Sequence, residues 1–563
     1  MTPRTPPPSP AAQVSIVVIG WNDAEHIAGA VHSALRQGTA VAEVIVVDDA
    51  STDATPGVLR ELAARYARIR VVRRETNSGG CGTPRNDGMR LATAPYVMFL
   101  DSDDVLEAGA VEALFRGAVR HDAQVVAGRC VRRELPGGRD VPWQRALFTV
   151  ETAHGSPAEL PRLVHDTVCV NKLYSRAFLQ EHGIAFPDGA FRYEDFVFTA
   201  RVLAAAPRFA LVPDTVYIWH VRRADRPSIS LARGDIGNWR SRLAAHRRTV
   251  EIFEEAGLKE LTHAAQVKFL DDDLRMYARE LPARDPEYRS AWWRLTQEHL
   301  ADVDEAALRA ARAPARWIAR VVTAADGPRD LERMAGLANR PARLLPPYVR
   351  AAGRPVWDAD LPAVVLDGLD TKPMHRLPVT VDAEPRLERD PRPSRPARLR
   401  VTVRVHELYG RLAAAGPVAV DLELRHRDDG RLGVARDAEV VAEDGMWTAD
   451  VLLDLPAVAL AGGRREGRAG PDVWDVRVRL RCSDGSSLWT AARATGPGLR
   501  RAAVPGGRRG LVLVQPYATA GGSLALRVAA GPSAATAVVR RRLRRMAARG
   551  RRRPGSRRGR DGR

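Results

Sequence analysis

Cysteine is scarce in this chain of 563 residues, which has only Cys81, Cys130, Cys169 and Cys482. None of them stands in a Cys-x-x-Cys or Cys/His spacing, so the common zinc sites are excluded. The four are also too few and too scattered for a disulfide framework. We therefore expect reduced thiols, as in a cytoplasmic protein.

Long apolar runs are lacking as well. No stretch of about 18 apolar residues occurs in the sequence, which therefore predicts no transmembrane helix. The first ten residues, MTPRTPPPSP, contain no apolar core of a signal peptide. We expect a cytoplasmic protein that is soluble or peripheral at the inner face of the plasma membrane.

Positive charge is unevenly distributed along the chain. Residues 540–563 hold thirteen arginines and one aspartate, a net +12 of the formal charge of +19, which leaves about +7 for the rest. We predict a disordered Arg-rich tail over 536–563 and a disordered Pro-rich start over 1–12. The tail could bind a polyanionic acceptor or an anionic membrane, and nucleic acid is the less favoured partner. The alternative is an arginine-rich terminus with no dedicated partner.

The chain is too long for a single core and should divide into about three or four domains. Over 13–230, short β-branched runs alternate with helical patterns, which predicts a mostly parallel α/β sheet with right-handed crossovers. Helical periodicity dominates 231–350. Over 355–530, period-two segments separated by turn signals predict an antiparallel β-sandwich.

Four separated segments carry clusters of acidic or polar residues. They are EVIVVDDASTD at 43–53, NSGGCGTPRN at 77–86, YVMFLDSDD at 96–104 and YEDF at 193–196. The first and third are β-branched runs that end in carboxylates. These carboxylates should emerge at the carboxyl ends of strands, where open α/β sheets bind their ligands.

In this order, the four segments resemble glycosyltransferase family 2, whose members have the GT-A fold. The resemblance covers Val14 to Ser230, although Gly20-Trp21-Asn22 stands where a Pro-x-Tyr-Asn turn is common. The later regions resemble the helical linker and C-terminal immunoglobulin-like module of wall teichoic acid glycosyltransferases. The resemblance implies an α/β fold class: a Rossmann-like GT-A catalytic domain, a helical linker domain and an antiparallel β-sandwich.

The resemblance implies roles for the two outer carboxylates of the DSDD segment. Asp101 would lie beside the donor ribose, and Asp103 would hold Mn²⁺ or Mg²⁺. A divalent ion suits this chemistry because it neutralises the leaving diphosphate as a Lewis acid. The alternative is a turn or helix N-cap, since Ser102, Asp103 and Asp104 are all capping residue types.

Donor recognition is implied for the first two segments. Asp48 and Asp49 would recognise the base, Asp49 by accepting the imide N–H of uracil. In the glycine-rich segment, Asn77 would contact the donor, the glycines would let the backbone approach a nucleotide, and Arg85 would offer a forked donor to ribose or phosphate. The alternatives are a helix cap at Ser51 to Asp53 and an ordinary Gly-rich surface loop.

The YEDF segment supplies the implied base. Asp195 would remove the proton of the acceptor hydroxyl, with Glu194 as its orienter and inversion at the anomeric carbon as the outcome. The alternative is a helix N-terminus that favours acidic residues. Further along, His220 and Arg222 would contact the donor phosphates or the metal, although a histidine beside Trp219 is often structural.

Three consecutive acids, Asp271-Asp272-Asp273, resemble a metal site only superficially. Their helical context predicts a solvated face. Arg223 and Arg226 are further cations beside the predicted phosphate contacts.

We therefore expect a metal-dependent, inverting hexosyl- or N-acetylhexosaminyltransferase. It would move a sugar from a nucleotide-sugar donor, UDP-linked, to a hydroxyl of a cell-surface polymer, for which the resemblance implies a teichoic-acid-like acceptor. One alternative is a transferase that elongates a capsular or exopolysaccharide, and a non-enzymatic one is a polyanion-binding protein. The sequence leaves the oligomeric state open, with a homo-oligomer among the alternatives.

Overall fold

The computed structural model describes residues 13–135, 139–205, 207–222, 232–388, 397–461, 471–505 and 511–530. The predicted disordered start, the Arg-rich tail, Arg223 and Arg226 lie outside these residues. The chain divides into two compact units, of which the first is Met1–Tyr277 with Ala283–Arg312 and the second is Ala278–Pro282 with Ala313–Arg563. The region predicted as a helical linker, 231–350, contributes to both units.

Ten strands of the described residues form one sheet in the first unit. They are β1 Val14–Gly20, β2 Val41–Asp48, β3 Ile69–Arg73, β4 Tyr96–Asp101, β5 Val105–Leu106, β6 Val125–Leu135, β7 Arg139–Pro142, β8 Thr152–His154, β9 Lys172–Ser175 and β10 Phe209–Arg222.

The helices up to residue 310 are α1 Ile27–Leu35, α2 Thr55–Arg65, α3 Gly82–Leu91, α4 Ala110–His121, α5 Arg176–Glu181, α6 Glu194–Ala204, α7 Ile236–Glu255, α8 Lys259–Lys268, α9 Arg275–Ala278, α10 Pro286–Leu300 and α11 Glu305–Ala310. A π-helix, Phe269–Leu274, joins α8 to α9.

The order of the sheet is β3-β2-β1-β4-β9-β6-β10-β5, with β7 on β6 and β8 on β10. Strands β3, β2, β1 and β4 run parallel to one another, whereas β9 pairs antiparallel with β4 and β6. The first strand, VSIVVIG, is buried along almost its whole length, as is usual for a parallel strand with covered faces. The register aligns Gly20 with Asp48 and Ile19 with Asp101. Two of the predicted carboxylates therefore lie at the same edge of the sheet.

The second unit contains two larger sheets and a short β-hairpin. Its strands are β11 Val349–Ala351, β12 Arg354–Val356, β13 Val381–Glu388, β14 Arg398–His406, β15 Pro417–His426, β16 Leu432–Glu439, β17 Val441–Glu443, β18 Met446–Asp454, β19 Asp472–Cys482, β20 Ser487–Thr490, β21 Arg493–Ala494, β22 Ala502–Pro505, β23 Leu511–Ala518 and β24 Leu524–Ala530. Its helices are α12 Ala313–Ala324, α13 Leu331–Ala338, α14 Arg411–Ala415 and α15 Leu455–Ala461.

One of these sheets has the order β17-β18-β14-β13-β21, and the other β16-β15-β19-β24-β23-β22 with β20 on β19. Their pairings are antiparallel except for β13 with β21. In β14, buried and more exposed residues alternate strictly, the period-two pattern of a strand with one face in a core. The predicted fold class, a mostly parallel α/β domain followed by helices and antiparallel sheets, is confirmed.

All four cysteines are free. Within the described ranges, no helix is long and apolar enough to cross a membrane.

Candidate active site

Asp101 is the last residue of β4 and lies at the open edge of the sheet. Its carboxylate is one-third exposed, and its Oδ1 accepts a 2.6 Å hydrogen bond from Nη2 of Arg85. The Arg85 side chain is only 4% exposed, and its Nη1 donates a second 2.6 Å hydrogen bond to Oε1 of Glu194. One buried guanidinium therefore joins carboxylates from two distant segments of the chain.

Asp103 lies beside the carboxyl end of β10. Its carboxylate forms an ion pair with Arg222, and its carbonyl oxygen lies 2.8 Å from Nδ1 of His220. Burial and the charge of Asp101 raise the pKa of Asp103 to about 6, although Arg222 opposes the shift. A bound cation would offset both causes, because it favours the ionised form of a carboxylate.

Asp104 is buried and fixes this segment to the neighbouring strand. Its carboxylate accepts hydrogen bonds of 2.7 Å from the hydroxyl of Tyr217 and from the backbone N–H of His220. Burial and the charge of Asp103 raise the pKa of Asp104 well above its ordinary value. A strand, β5, follows at Val105, so the alternative of a helix N-cap is wrong here.

Asp48 and Asp49 close β2, and both are almost fully buried. Asp48 accepts a hydrogen bond from the N–H of Ser51 at 3.1 Å. Asp49 accepts hydrogen bonds from the N–H of Ser78 and the side chain of Asn77, and it lies 2.9 Å from Nε of Arg74. The Asp49 carboxylate therefore anchors the glycine-rich segment. Helix α2 begins at Thr55 with no side-chain cap on its N-cap residue.

The glycines of that segment have a packing role that the sequence did not reveal. A Cβ on Gly80 would lie 2.5 Å from the carbonyl oxygen of Gly189, and one on Gly82 would lie 2.1 Å from that of Pro187. Both distances are shorter than real Cβ atoms allow. Close approach to a neighbouring protein segment is therefore one physical reason for glycine at these positions.

Asp195 lies in the first turn of α6, next to Glu194. Burial and the charge of Glu194 raise the pKa of Asp195 to about 7, while Arg85 and Arg242 act in the opposite direction. A carboxylate with a pKa near the working pH is suited to accept a proton during a reaction.

The parts of the predicted site come together as a connected group. Asp101, Arg85, Glu194 and Asp195 belong to one network, and Asp103, His220 and Arg222 adjoin it at the end of β10. Asp48 and Asp49 lie at the adjacent carboxyl end of β2, and Asn77 is hydrogen-bonded to Asp49. This arrangement of carboxylates and cations is suited to two substrates, one that carries phosphates and one that presents a hydroxyl for deprotonation.

A sequence model of the family described as "Glycosyl transferase family 2" matches residues 15–183. This segment belongs to glycosyltransferase family 2. The match includes the predicted site residues from Asp48 to Asp103, whereas Glu194, Asp195, His220 and Arg222 follow it in the sequence. The recognition of the family from its motifs is confirmed.

Similar proteins agree with the family 2 assignment. The chain is 30% identical to the poly(ribitol-phosphate) beta-glucosyltransferase of Bacillus spizizenii over 215 residues, which are 38% of this chain and 32% of that protein. It is also 30% identical to the succinoglycan biosynthesis protein ExoO of Rhizobium meliloti over 218 residues, which are 37% of this chain and 61% of that protein. The matched region thus spans about a third of the first relative and three-fifths of the second.

The fold extends beyond the family 2 domain in a solved structure. The crystal structure of S. aureus TarS aligns with 92% of this chain and 86% of its own, with a TM-score of 0.52 and 18% identity. At this identity the likeness concerns the fold alone. The alignment extends over the family 2 domain and over the helices and antiparallel sheets that follow it in this chain.

The family 2 domain also contains an acidic residue that sequence reasoning missed. Asp23, in the loop after β1, accepts a 2.7 Å hydrogen bond from the hydroxyl of Ser102 and lies 2.6 Å from Nδ1 of His26. Its charge contributes to the raised pKa of Asp103. The sequence offered a signal, because Asp23 directly follows the unusual Trp21-Asn22 pair. In the structure, Trp21 is 56% exposed.

The expectation for the three consecutive acids was wrong at two positions. Asp271 and Asp273 are 8% and 4% exposed, and they lie in the π-helix rather than on a solvated face. Asp271 accepts a 2.9 Å hydrogen bond from the N–H of Arg312, and Asp273 has two cationic neighbours. Periodicity failed here because a π-helix adds a residue to the turn and changes which side chains face inward.

A cleft in the first unit is lined mainly by residues of α6, α7 and α8. It contains none of the predicted site residues, and we assign it no role in donor binding.

Proposed function

We propose that this chain is an inverting glycosyltransferase that moves a sugar from a UDP-linked donor to a hydroxyl of a cell-surface polymer of the poly(polyol phosphate) type. The observation that carries the proposal is the double ion pair of Arg85, with 2.6 Å contacts to both Asp101 and Glu194. It joins the segment implied in donor binding to the segment implied in deprotonation. The similarity to a poly(ribitol-phosphate) transferase supports the choice of acceptor.

The reaction needs a base for the acceptor hydroxyl. The acceptor oxygen attacks the anomeric carbon while the bond to the diphosphate breaks and its electron pair leaves with the phosphate oxygen. Asp195 takes the hydroxyl proton, for which its pKa of about 7 is suited near neutral pH. Attack opposite to the leaving group inverts the configuration in one step.

A divalent cation fits the acidic end of the site. Asp103 would hold it together with the donor phosphates, since Mg²⁺ and Mn²⁺ are commonly bound through one or two carboxylates plus phosphates. The raised pKa of Asp103, caused first by burial and then by the charge of Asp101, supports this assignment because a bound cation would favour the ionised carboxylate. The bound ion would supply Lewis-acid neutralisation of the leaving diphosphate. Within the described residues, no group of three His, Cys, Asp or Glu side chains could hold a metal. Donor phosphates and water would complete the ligand set.

Arg222 is suited to the donor phosphates. Its Nε and Nη1 are buried and have no hydrogen-bond acceptor among the described residues. Buried donors without a partner are costly, and phosphate oxygens would satisfy them. His220, whose pKa burial lowers, would contact the same region as a neutral ring. Peripheral membrane contact through the Arg tail and homo-oligomer formation remain predictions.

A second candidate is the elongation of an exopolysaccharide by the same catalytic domain. The similarity to ExoO favours it, because it extends over a larger share of that protein than the similarity to the ribitol-phosphate enzyme does. The chemistry at Asp195 would be the same, and only the acceptor would differ.

The test is a panel of nucleotide sugars with Mn²⁺, scored by nucleotide release and by sugar bound to the acceptor. Poly(ribitol phosphate) and a neutral β-glucan oligosaccharide serve as the two acceptors. Transfer to the phosphate polymer supports the first candidate, and transfer to the neutral one supports the second. If the folded protein transfers no sugar from any donor to either acceptor, the proposed function is wrong.

A further inference from the structure

Helices α7 and α9 lie beside the YEDF segment and hold its first residue. Tyr193 has a φ of +65°, a left-handed conformation that is strained for a bulky residue. Its hydroxyl donates a 2.7 Å hydrogen bond to Oδ1 of Asn238, a residue that is 1% exposed. The hydroxyl of Tyr277 donates to the same oxygen. The residue directly before Glu194 is thus fixed from α7 and α9.

Arg242, one turn further along α7, is stacked on this segment. Its guanidinium carbon lies 4.0 Å from the ring centroid of Tyr193 and 4.6 Å from that of Phe196. The side chain is 11% exposed. A guanidinium over aromatic faces is stabilised by the ring quadrupoles, and a neutral side chain in its place would lack this attraction.

Asp273 provides the counter-charge for this stack. Its Oδ1 lies 3.6 Å from Nε of Arg242, and its Oδ2 lies 3.3 Å from Nζ of Lys268. Lys268 Nζ is itself 4.3 Å from the ring of Phe196. The carboxylate therefore sits between two buried cations that both contact the YEDF aromatics. The π-helix places Asp273 there, and such bulges often mark functional positions.

We propose that Asn238, Arg242 and Asp273 are positioning residues for the transfer reaction, which hold the first turn of α6 and set the electrostatic environment of Asp195. The proposal rests on the proposed function, because it assigns these residues to the base of that reaction. It gives the helical region after the catalytic domain a direct part in catalysis.

The electrostatic part of the proposal has a definite sign. Arg242 lowers the pKa of Asp195, against the effects of burial and of Glu194. Removal of the Arg242 charge should therefore raise the pKa. Removal of the Asp273 charge should lower it, since Arg242 and Lys268 would then be uncompensated. The titratable groups that face Asp195 from the surrounding elements are Glu194 on α6, Arg85 on α3, Asp101 on β4, Cys169 before β9, Tyr174 on β9 and Arg242 on α7.

The experiment compares four variants of the full chain: Arg242→Gln, Arg242→Lys, Asp273→Asn and Arg240→Gln. Arg240 is an exposed arginine on the same helix and serves as the matched control. The readouts are the acid limb of the pH profile of kcat and the pH titration of the Asp195 carboxylate by ¹³C NMR without donor, assigned with Asp195→Asn.

Arg242→Gln should move both the acid limb and the NMR titration to higher pH, by an amount on the order of one unit. Asp273→Asn should move both to lower pH. Arg242→Lys keeps the charge and should leave the limb near its original place while lowering kcat. Arg240→Gln should change neither. A shift to higher pH for Arg242→Gln together with a shift to lower pH for Asp273→Asn cannot come from general loosening of the fold. Thermal unfolding measures such loosening separately.

Shifts of equal sign for Arg242→Gln and Asp273→Asn, or no shift in either, would overturn the proposal. The NMR titration reads Asp195 without turnover. If the wild-type protein fails to transfer sugar, the proposed function fails whatever the titration shows. If it transfers sugar but the titrations do not move, only the positioning role fails.

Discussion

The hydroxyl of Tyr217 donates a 2.7 Å hydrogen bond to Oδ2 of the buried Asp104. The same hydroxyl accepts a bond from the backbone N–H of Asp101 at 3.2 Å. Strand β10 is thereby attached to the acidic segment at two points. A tyrosine in the middle of a strand thus fixes the loop that carries the predicted metal ligand.

Tyr217→Phe should destabilise the protein by about 1–3 kcal/mol, because a buried carboxyl group loses its donor. It should also lower kcat, since Asp103 lies in the loop that the lost hydrogen bond would displace. Urea unfolding and steady-state kinetics measure the two effects. Tyr409→Phe, which removes a buried hydroxyl from the second unit, is the control and should lower stability without lowering kcat. Equal kcat for Tyr217→Phe and wild type would show that the loop does not depend on this bond.

Asp103→Ala should abolish turnover while the fold is retained, if Asp103 is the metal ligand. EDTA should have the same effect on the wild-type enzyme, and Mn²⁺ or Mg²⁺ should reverse it. Circular dichroism checks the fold of the variant. Full activity in excess chelator would remove the metal from the mechanism.

Asp195→Asn should lower transfer by roughly 10²- to 10⁴-fold and leave the affinity for the UDP-sugar nearly intact. The substitution keeps the shape of the side chain, so unfolding is not expected. In the wild type, activity should fall as the pH drops through about 7, because Asp195 must be ionised to accept a proton. The variant should lack this acid limb.

The contrary result at Asp195 would also be informative. A loss of UDP affinity with an unchanged maximal rate would make Asp195 a donor ligand. Glu194 would then be the first residue to test as the base.

Asp49→Asn should act chiefly on nucleotide binding, with a smaller effect on kcat. In the structure the Asp49 carboxylate anchors Asn77 and Ser78, so the substitution should also loosen the glycine-rich segment. Isothermal titration with UDP measures the affinity. Asp53→Asn, at an exposed position in the following turn, serves as the control. Unaltered UDP affinity in Asp49→Asn would limit Asp49 to its observed structural contacts.

Replacing the arginines of 540–563 with glutamine should weaken binding to a polyanionic acceptor and flatten its dependence on salt. Donor hydrolysis should be retained, because the predicted catalytic residues lie elsewhere in the sequence. Binding to poly(ribitol phosphate) at low and high salt tests this. Unchanged affinity at low salt would favour a tail with no dedicated partner.

Much of the fold was predictable because its signals are local. Strands β2 and β4 end at Asp48 and Asp101, two of the carboxylates that were expected at the ends of β-branched runs. β-Branched runs that end in turn signals indicate buried strands without any knowledge of their partners. The predicted carboxylates at the sheet edge follow from the same pattern, because parallel strands end together.

What the sequence did not reveal depends on partners that are distant along the chain. The antiparallel β9 enters between β4 and β6, and nothing in KLYS itself specifies those neighbours. Arg85 was expected to offer a forked donor to ribose or phosphate, and two carboxylates bind it from 16 and 109 residues away. The buried acids of the π-helix were missed for the same reason, since Asp271 pairs with Arg312 and Asp273 pairs with Arg242, both in other segments.

The glycine-rich segment and the segment around Pro187 to Gly189 touch backbone to backbone, with no room for a side chain at Gly80 or Gly82. Asn86 adds to this contact through hydrogen bonds with Phe186 and Asp188. For protein engineering, the two segments form one module. A chimera that exchanges donor preference between relatives would have to transplant both together, because either one alone would meet a partner of the wrong shape.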